Sequence, residues 1–218
     1  DTDRSRGLGD VYKRQDMFTL ISKSLKTELY RKAIHLSSLW MPMLMIMGHR
    51  NLNIIVYSSL LIFNLALEYA AFRKTAAIGI LFRKMFIKTL RNKEVSKENF
   101  VPSGSVYVLA SALFVTVCFT PQAAAASMSV MLIADAAAAI VGKSMGVIRF
   151  YNGKSLEGTL AFFVSAFFVI SFFFLKTSSV IILIVSVLAT LAEFFEKELK
   201  IDDNFSIPLI TGFILNLI

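Results

Sequence analysis

Asp135 lies near the end of a long apolar run. The residues from there to Thr159 hold two Gly-Lys-Ser triplets, with Lys154 and Glu157 three apart. A carboxylate among alanines is costly to keep ionised unless a cation or donors meet it. A magnesium ion suits that need, since it takes one or two carboxylates together with substrate phosphates. Gly142 and Gly146 stand where backbone amides can approach phosphate oxygens, and Lys143 and Arg149 bring charge. With Ala139 the same glycines also suit close helix packing, so both uses are open. Lys154 and Glu157 open the next apolar run, whose helix N-terminus favours an anion. A P-loop is excluded: it requires a glycine where the two triplets have Ala137 and Ile148, and a preceding strand.

Other polar residues share a pattern with Asp135. Glu28, Arg31, Lys32 and His35 fall at i, i+3, i+4 and i+7, one helical face. Asn64 and Glu68 are four apart. Ser103 and Gly104 begin an apolar run, Glu193 ends one, and Asp202, Asp203 and Asn204 precede the last. Each of these groups stands at the end of an apolar run.

The runs dictate the architecture. Of the 218 residues 56% are hydrophobic, and runs of about 20 apolar residues mark membrane spans. They are Leu29–Met47, Leu52–Ala71, Ser103–Thr120, Gln122–Val141, Leu156–Leu175, Val180–Phe195 and Ile207–Ile218. The expected fold is an all-α, polytopic membrane bundle of about seven transmembrane helices. The seventh, with 12 residues, is expected to be truncated. Residues 1–15, "DTDRSRGLGDVYKRQ", resemble translated adapter sequence and are set aside. Residues 16–218 are expected to form a single integral-membrane domain. Cys118 is the sole cysteine and His35 and His49 the sole histidines, which excludes an intrachain disulfide and a Cys- or His-rich metal site.

The net charge of +8 has a topological cause rather than a nucleic-acid partner. Assigning alternate connections to opposite sides gives one side seventeen Lys and Arg and the other only Arg50 and Lys176. Cationic loops stay in the cytosol. The N-terminus and all the polar groups above are therefore expected on the cytosolic face, in a bacterial inner membrane. Within 72–102, "IGILFRKMFIKTL" has the pattern of a basic helix lying on the membrane surface.

"RKAIH", "DAAAAIVGKSMG", "KSLEGT" and "DDNFSIPL" together resemble the CTP-dependent lipid-alcohol kinases: dolichol kinase, phytol kinase and the yeast-type diacylglycerol kinase. That family sits within the phosphatidate cytidylyltransferase-like superfamily. The likeness covers most of residues 28–212. Its combined motif falls on Asp135, Ala138, Gly142, Gly146, Lys154, Ser155, Glu157 and Gly158. The resemblance implies transfer of the CTP γ-phosphoryl group to a lipid alcohol, with Mg²⁺. Under it Asp135 binds metal and nucleotide, and Lys143 and Lys154 contact phosphates beside Gly142, Gly146, Ser155 and Gly158. Glu157 orients Lys154 or helps hold the metal. Asp202 or Asp203 is a second metal ligand or base. Arg31, Lys32, His35, Asn64, Glu68, Ser103, Gly104, Glu193 and Asn204 complete the pocket.

Two rivals stand beside this reading. A phosphatidate cytidylyltransferase would carry a Lys-Arg pair and a histidine near the C-terminus, where this chain has "EFFEKELKIDDNFSIPL". A transporter would show internal repeats and polar residues at mid-membrane, and neither is present.

Overall fold

The computed structural model describes residues 25–73, 100–199 and 201–218. Among them every regular element is a helix: α1 (25–37), α2 (Trp40–Met47), α3 (Arg50–Arg73), α4 (Gly104–Cys118), α5 (Pro121–Ser144), α6 (Leu156–Phe173), α7 (Ser179–Phe194), α8 (Glu196–Leu199) and α9 (Asp203–Leu215). The all-α class expected from the sequence is what the described residues have. α3, α5 and α6 are long and apolar enough to cross a membrane, and α4, α7 and α9 are shorter apolar helices. The basic surface helix expected within 72–102, and residues 1–15, lie outside the described residues.

The expected first run, Leu29–Met47, is two helices rather than one. Pro42 has no amide to give the Ser38 carbonyl. That carbonyl accepts instead from Met41, three residues on, at 2.9 Å, and the chain turns at Ser38 and Leu39. Pro208 in α9 poses the same problem to the Asn204 carbonyl. There the helix continues, because the Ser111 hydroxyl of α4 donates to that oxygen at 2.6 Å. Helix starts follow ordinary capping chemistry: Thr120 accepts from Ala123 N, Ser155 from Gly158 N, and Asp202 from Asn204 N.

α5 is the central helix, with α2, α6 and α9 packed against it. Its alanines and serines leave little side chain between backbones, and 123–132 is buried throughout. The outer helices turn apolar residues outward, as in the stripe Leu160, Val164, Phe168 and Phe172 on α6.

Hydrogen bonds tie the helix ends at one extremity. Arg50 donates to the Val117 carbonyl, the Thr120 amide to Asn216 Oδ1 at 2.7 Å, and Gln122 to the Phe173 carbonyl at 2.5 Å. These contacts join the start of α3, the end of α4, the start of α5 and the ends of α6 and α9. Successive long helices therefore run up and down, and the polar groups singled out above gather at the other extremity.

Candidate functional site

The core of that extremity is an antiparallel pairing of α1 with α5. Glu28, Lys32 and His35 share a face of α1, and Asp135 and Lys143 lie two turns apart on α5. Lys32 Nζ forms an ion pair with Asp135 Oδ2, and His35 Nε2 lies 3.5 Å from the same oxygen. Glu28 takes Lys143 through one carboxylate oxygen at 2.6 Å and Arg31 through the other at 2.5 Å. Asp135, Lys32 and Glu28 are all buried. The Asp135 charge is thus met by the protein's own ammonium group. Burial pushes the Glu28 carboxyl up, but the Lys143 hydrogen bond and the charges of Arg31, Lys143 and Lys32 outweigh that and hold it below its ordinary value. The buried Nε2 of His35 has no hydrogen-bond partner.

The segment between α5 and α6 is a tight hairpin. Phe150 N donates to the Lys154 carbonyl and Gly153 N to the Phe150 carbonyl, each at 2.9 Å. Gly153 has φ +84°, which a residue with a Cβ adopts only with strain. The hairpin docks on the end of α7. Asn152 Nδ2 donates to the Phe194 carbonyl at 2.9 Å, and Lys197 donates to the Asn152 carbonyl. Lys154 pairs with Glu193 at 2.7 Å, lies 3.6 Å from Glu196, and also donates to the Glu193 carbonyl.

Glu157, expected beside Lys154 or a metal, accepts from the amides of Val147 at 2.9 Å and Ile148 at 3.3 Å. These two contacts brace the first arm of the hairpin, and Lys154 is oriented by Glu193 and Glu196 instead.

The glycines of the motif make a helix crossing. A Cβ on Gly158 would lie 2.9 Å from the Ala138 carbonyl oxygen and 3.1 Å from Gly142 Cα. On Gly142 it would meet Ser155 Oγ at 2.9 Å, and on Gly146 the Gly142 carbonyl oxygen at 2.2 Å. Of the two uses open to Gly142 and Gly146, close packing of α5 against α6 is the one this geometry displays, with Ser155 Oγ lodged between the two glycines.

On the opposite flank Glu68 caps α4. Its carboxylate accepts from Ser103 N at 2.9 Å, from Ser103 Oγ, and from Ser105 Oγ at 3.2 Å, while Asn64 donates to Ser105 Oγ at 2.8 Å. A Cβ on Gly104 would be 3.4 Å from Asn204 Nδ2, so the start of α4 abuts the start of α9. Asn204 in turn donates to Asp202 Oδ1 at 2.6 Å. Asp202, Asp203 and Glu196 each bring a carboxylate oxygen within 4.8 Å of the others. This trio could hold a divalent cation.

The expected residues therefore gather in three linked groups. Arg31, Lys32, His35, Asp135 and Lys143 meet between α1 and α5. Lys154 joins Glu193 and Glu196, and Asp202, Asp203 and Asn204 follow. Asn64, Glu68, Ser103 and Gly104 form the third. The close approach of Gly142 to Ser155, one residue from Lys143 and Lys154 respectively, joins the first group to the second. Asp135 and Asp202, expected to share a metal, belong to different groups. Glu196, Asn152 and Lys197 went unnoticed in the sequence. Glu196 is three residues beyond Glu193, a same-face spacing that could have revealed it.

No family model matches the chain, and no solved structure matches it. The uncharacterized protein RP860 of Rickettsia prowazekii is 34% identical over 190 residues, covering 84% of this chain and 90% of that protein. The uncharacterized protein MJ1137 of Methanocaldococcus jannaschii is 36% identical over 87 residues, 40% of this chain and 44% of its own length.

Proposed function

The chain belongs to the family of the Rickettsia prowazekii protein RP860, and we propose that it transfers the γ-phosphoryl group of CTP to a membrane lipid alcohol. One observation carries the reading. Charged groups from α1, α5, α7 and the hairpin before α6 meet inside the protein at a single end of the bundle. Buried charge at this density is expensive, and its default explanation in a membrane helix bundle is function. Confinement to one end suits a reactant that arrives from water and a second that arrives from lipid. The motif on Asp135, Gly142, Gly146, Lys154, Ser155, Glu157 and Gly158 points to CTP and a lipid hydroxyl.

Phosphoryl transfer is mostly positioning and charge neutralisation, and the residues divide accordingly. Arg31 and Lys143, about a third or more exposed along their side chains, are the cations placed to reach phosphates from outside. Lys32 and Lys154 are held inside by Asp135 and Glu193, and keep the pocket polarised. Magnesium, when bound, neutralises phosphate charge. The Glu196, Asp202 and Asp203 carboxylates fit it by mutual distance, whereas a cation reaching Asp135 must first replace Lys32. The proposed setting is a bundle of about seven spans in a bacterial inner membrane, with this end cytosolic.

The test is a transfer assay on purified protein with phytol, farnesol, polyprenol, diacylglycerol and phosphatidate as acceptors. Label from γ-³²P CTP should enter lipid and label from α-³²P CTP should not. The reverse, with release of pyrophosphate, would establish a cytidylyltransferase. No incorporation of either label into any lipid would remove the enzyme reading and favour transport.

A further inference from the structure

The hairpin between α5 and α6 has two unlike faces. Asn152 and Ser155 are buried against α7 and the glycine crossing. On the other side Met145 is 68% exposed, Val147 83%, Ile148 55% and Tyr151 78%. Four large apolar or aromatic side chains bare on an 11-residue connection (145–155) are unusual for a loop meeting only water. The hairpin is not loose. Its own backbone bonds, the Arg149–Ser155 bridge, the docking of Asn152 and Lys197, and the edge-to-face contact of Phe150 with Phe194 at 5.0 Å hold it in shape. The exposure is therefore built in.

We propose that this face is seated in the headgroup layer of the membrane. Connectivity supports it. The hairpin joins two helices long and apolar enough to cross a bilayer, Pro121–Ser144 and Leu156–Phe173, so it emerges at the surface within a residue of each. The apolar surface is continued by the exposed stripe Leu160, Val164, Phe168 and Phe172 on α6. Charge agrees as well. Lys143 and Lys154 are committed to Glu28 and Glu193, and the exposed Arg149 is the hairpin cation that can meet anionic lipid headgroups. Tyrosine and cationic side chains at this depth are the usual interfacial anchors. The seat would fix the height of Lys154, and of the buried charges behind it, relative to the lipid surface.

The inference rests on the membrane setting and not on phosphoryl transfer, and its test reads no activity. The chain has a single tryptophan, Trp40, so Trp40→Phe gives a silent background for Val147→Trp. Tyr151→Trp, a smaller change, gives a second reading if the first variant does not fold. Val164→Trp on the α6 stripe serves as a deep reference. Each is placed in nanodiscs containing anionic lipid, where both faces meet solvent. The probes are aqueous iodide and lipids brominated near the headgroup or deep in the acyl chain. The expected result for position 147 is strong loss of emission with the shallow brominated lipid, weak loss with the deep one, and little with iodide. Position 164 should show the deep-lipid loss instead. Full quenching of position 147 by iodide, with none by either lipid, would overturn the proposal. Loss of iodide access only on raising protein concentration would assign the face to a second copy and overturn it equally.

Discussion

Ser111 on α4 gives its hydroxyl hydrogen to the Asn204 carbonyl of α9, 2.6 Å away, in place of the amide that Pro208 lacks. A buried carbonyl stripped of a donor costs about 1–3 kcal/mol. Ser111→Ala should lower stability in detergent by that amount. In a Pro208→Ala background the amide at 208 returns, and the same substitution should cost markedly less. Equal costs in the two backgrounds, measured by a double-mutant cycle, would show that the hydroxyl does not stand in for the amide.

The Lys32–Asp135 pair predicts a stability pattern separable from activity. Removing one member of a buried pair leaves the other uncompensated and costs about 3–5 kcal/mol. Asp135→Asn and Lys32→Met should each destabilise the protein. Lys32→Met combined with Asp135→Leu should recover much of the loss, yet remain inactive in the CTP assay. An active double variant would remove Asp135 from the proposed chemistry.

The glycines predict a contrast. Gly158→Ala places a methyl against the Ala138 carbonyl and Gly142 Cα, where the backbone cannot yield cheaply, and overpacking of this kind costs about 1–3 kcal/mol. Gly104→Ala meets only Asn204 Nδ2, at 3.4 Å, and should be near neutral. Thermal unfolding of the two variants tests the difference. A Gly158→Ala protein as stable as the parent would mean that α5 and α6 cross less closely.

Glu28 makes stability depend on pH. Its carboxyl is depressed below its ordinary value of 4.5, so its pairing is fully stabilising above that value and is lost as pH falls through the depressed one. Lys143 is partly exposed, which keeps the effect to roughly 1 kcal/mol or less. Glu28→Gln should melt slightly below the parent at neutral pH, with the gap closing at acid pH. A constant gap across the titration would deny the Glu28 pairing its role.

Orientation is open to chemical labelling. In a Cys118→Ser background, Ile201→Cys sits beside α9 at the polar end, and Lys176→Cys in the connection at the opposite end. A membrane-impermeant thiol reagent applied to intact cells should label position 176 and spare position 201. The opposite pattern would invert the proposed topology.

Much of the polar end was legible because helical periodicity and alternating loops are one-dimensional signals. The spacing of 28, 31, 32 and 35 placed one face together, and the Lys/Arg distribution put it on the same side as Asp135. Pairing partners were not legible. That Lys32 meets Asp135 depends on which helices touch, and α1 finds α5 across 103 residues. The contacts of Glu157 were hidden for a related reason. Its spacing from Lys154 suits a helix, but Lys154 stands in the hairpin before α6 begins, so the two carry no common face. The break at Ser38 and Leu39 was within reach, since Pro42 was visible in the sequence. Hydropathy averages over such a position and reads straight through it.

The tied extremity makes the bundle a set of levers with a common fulcrum. From Gln122, near that end, Asp135 lies ~20 Å along α5 and Lys143 ~32 Å. A tilt of α5 away from α1 by ~3° about the fulcrum displaces Asp135 by ~1 Å and Lys143 by ~1.7 Å. With its side chain held as it is, Lys143, at 2.6 Å from Glu28, then passes beyond the ~4 Å reach of a direct ion pair. Lys32 still holds Asp135. The two pairs are therefore ordered by leverage: the one nearer the water opens under a motion too small to open the one behind it.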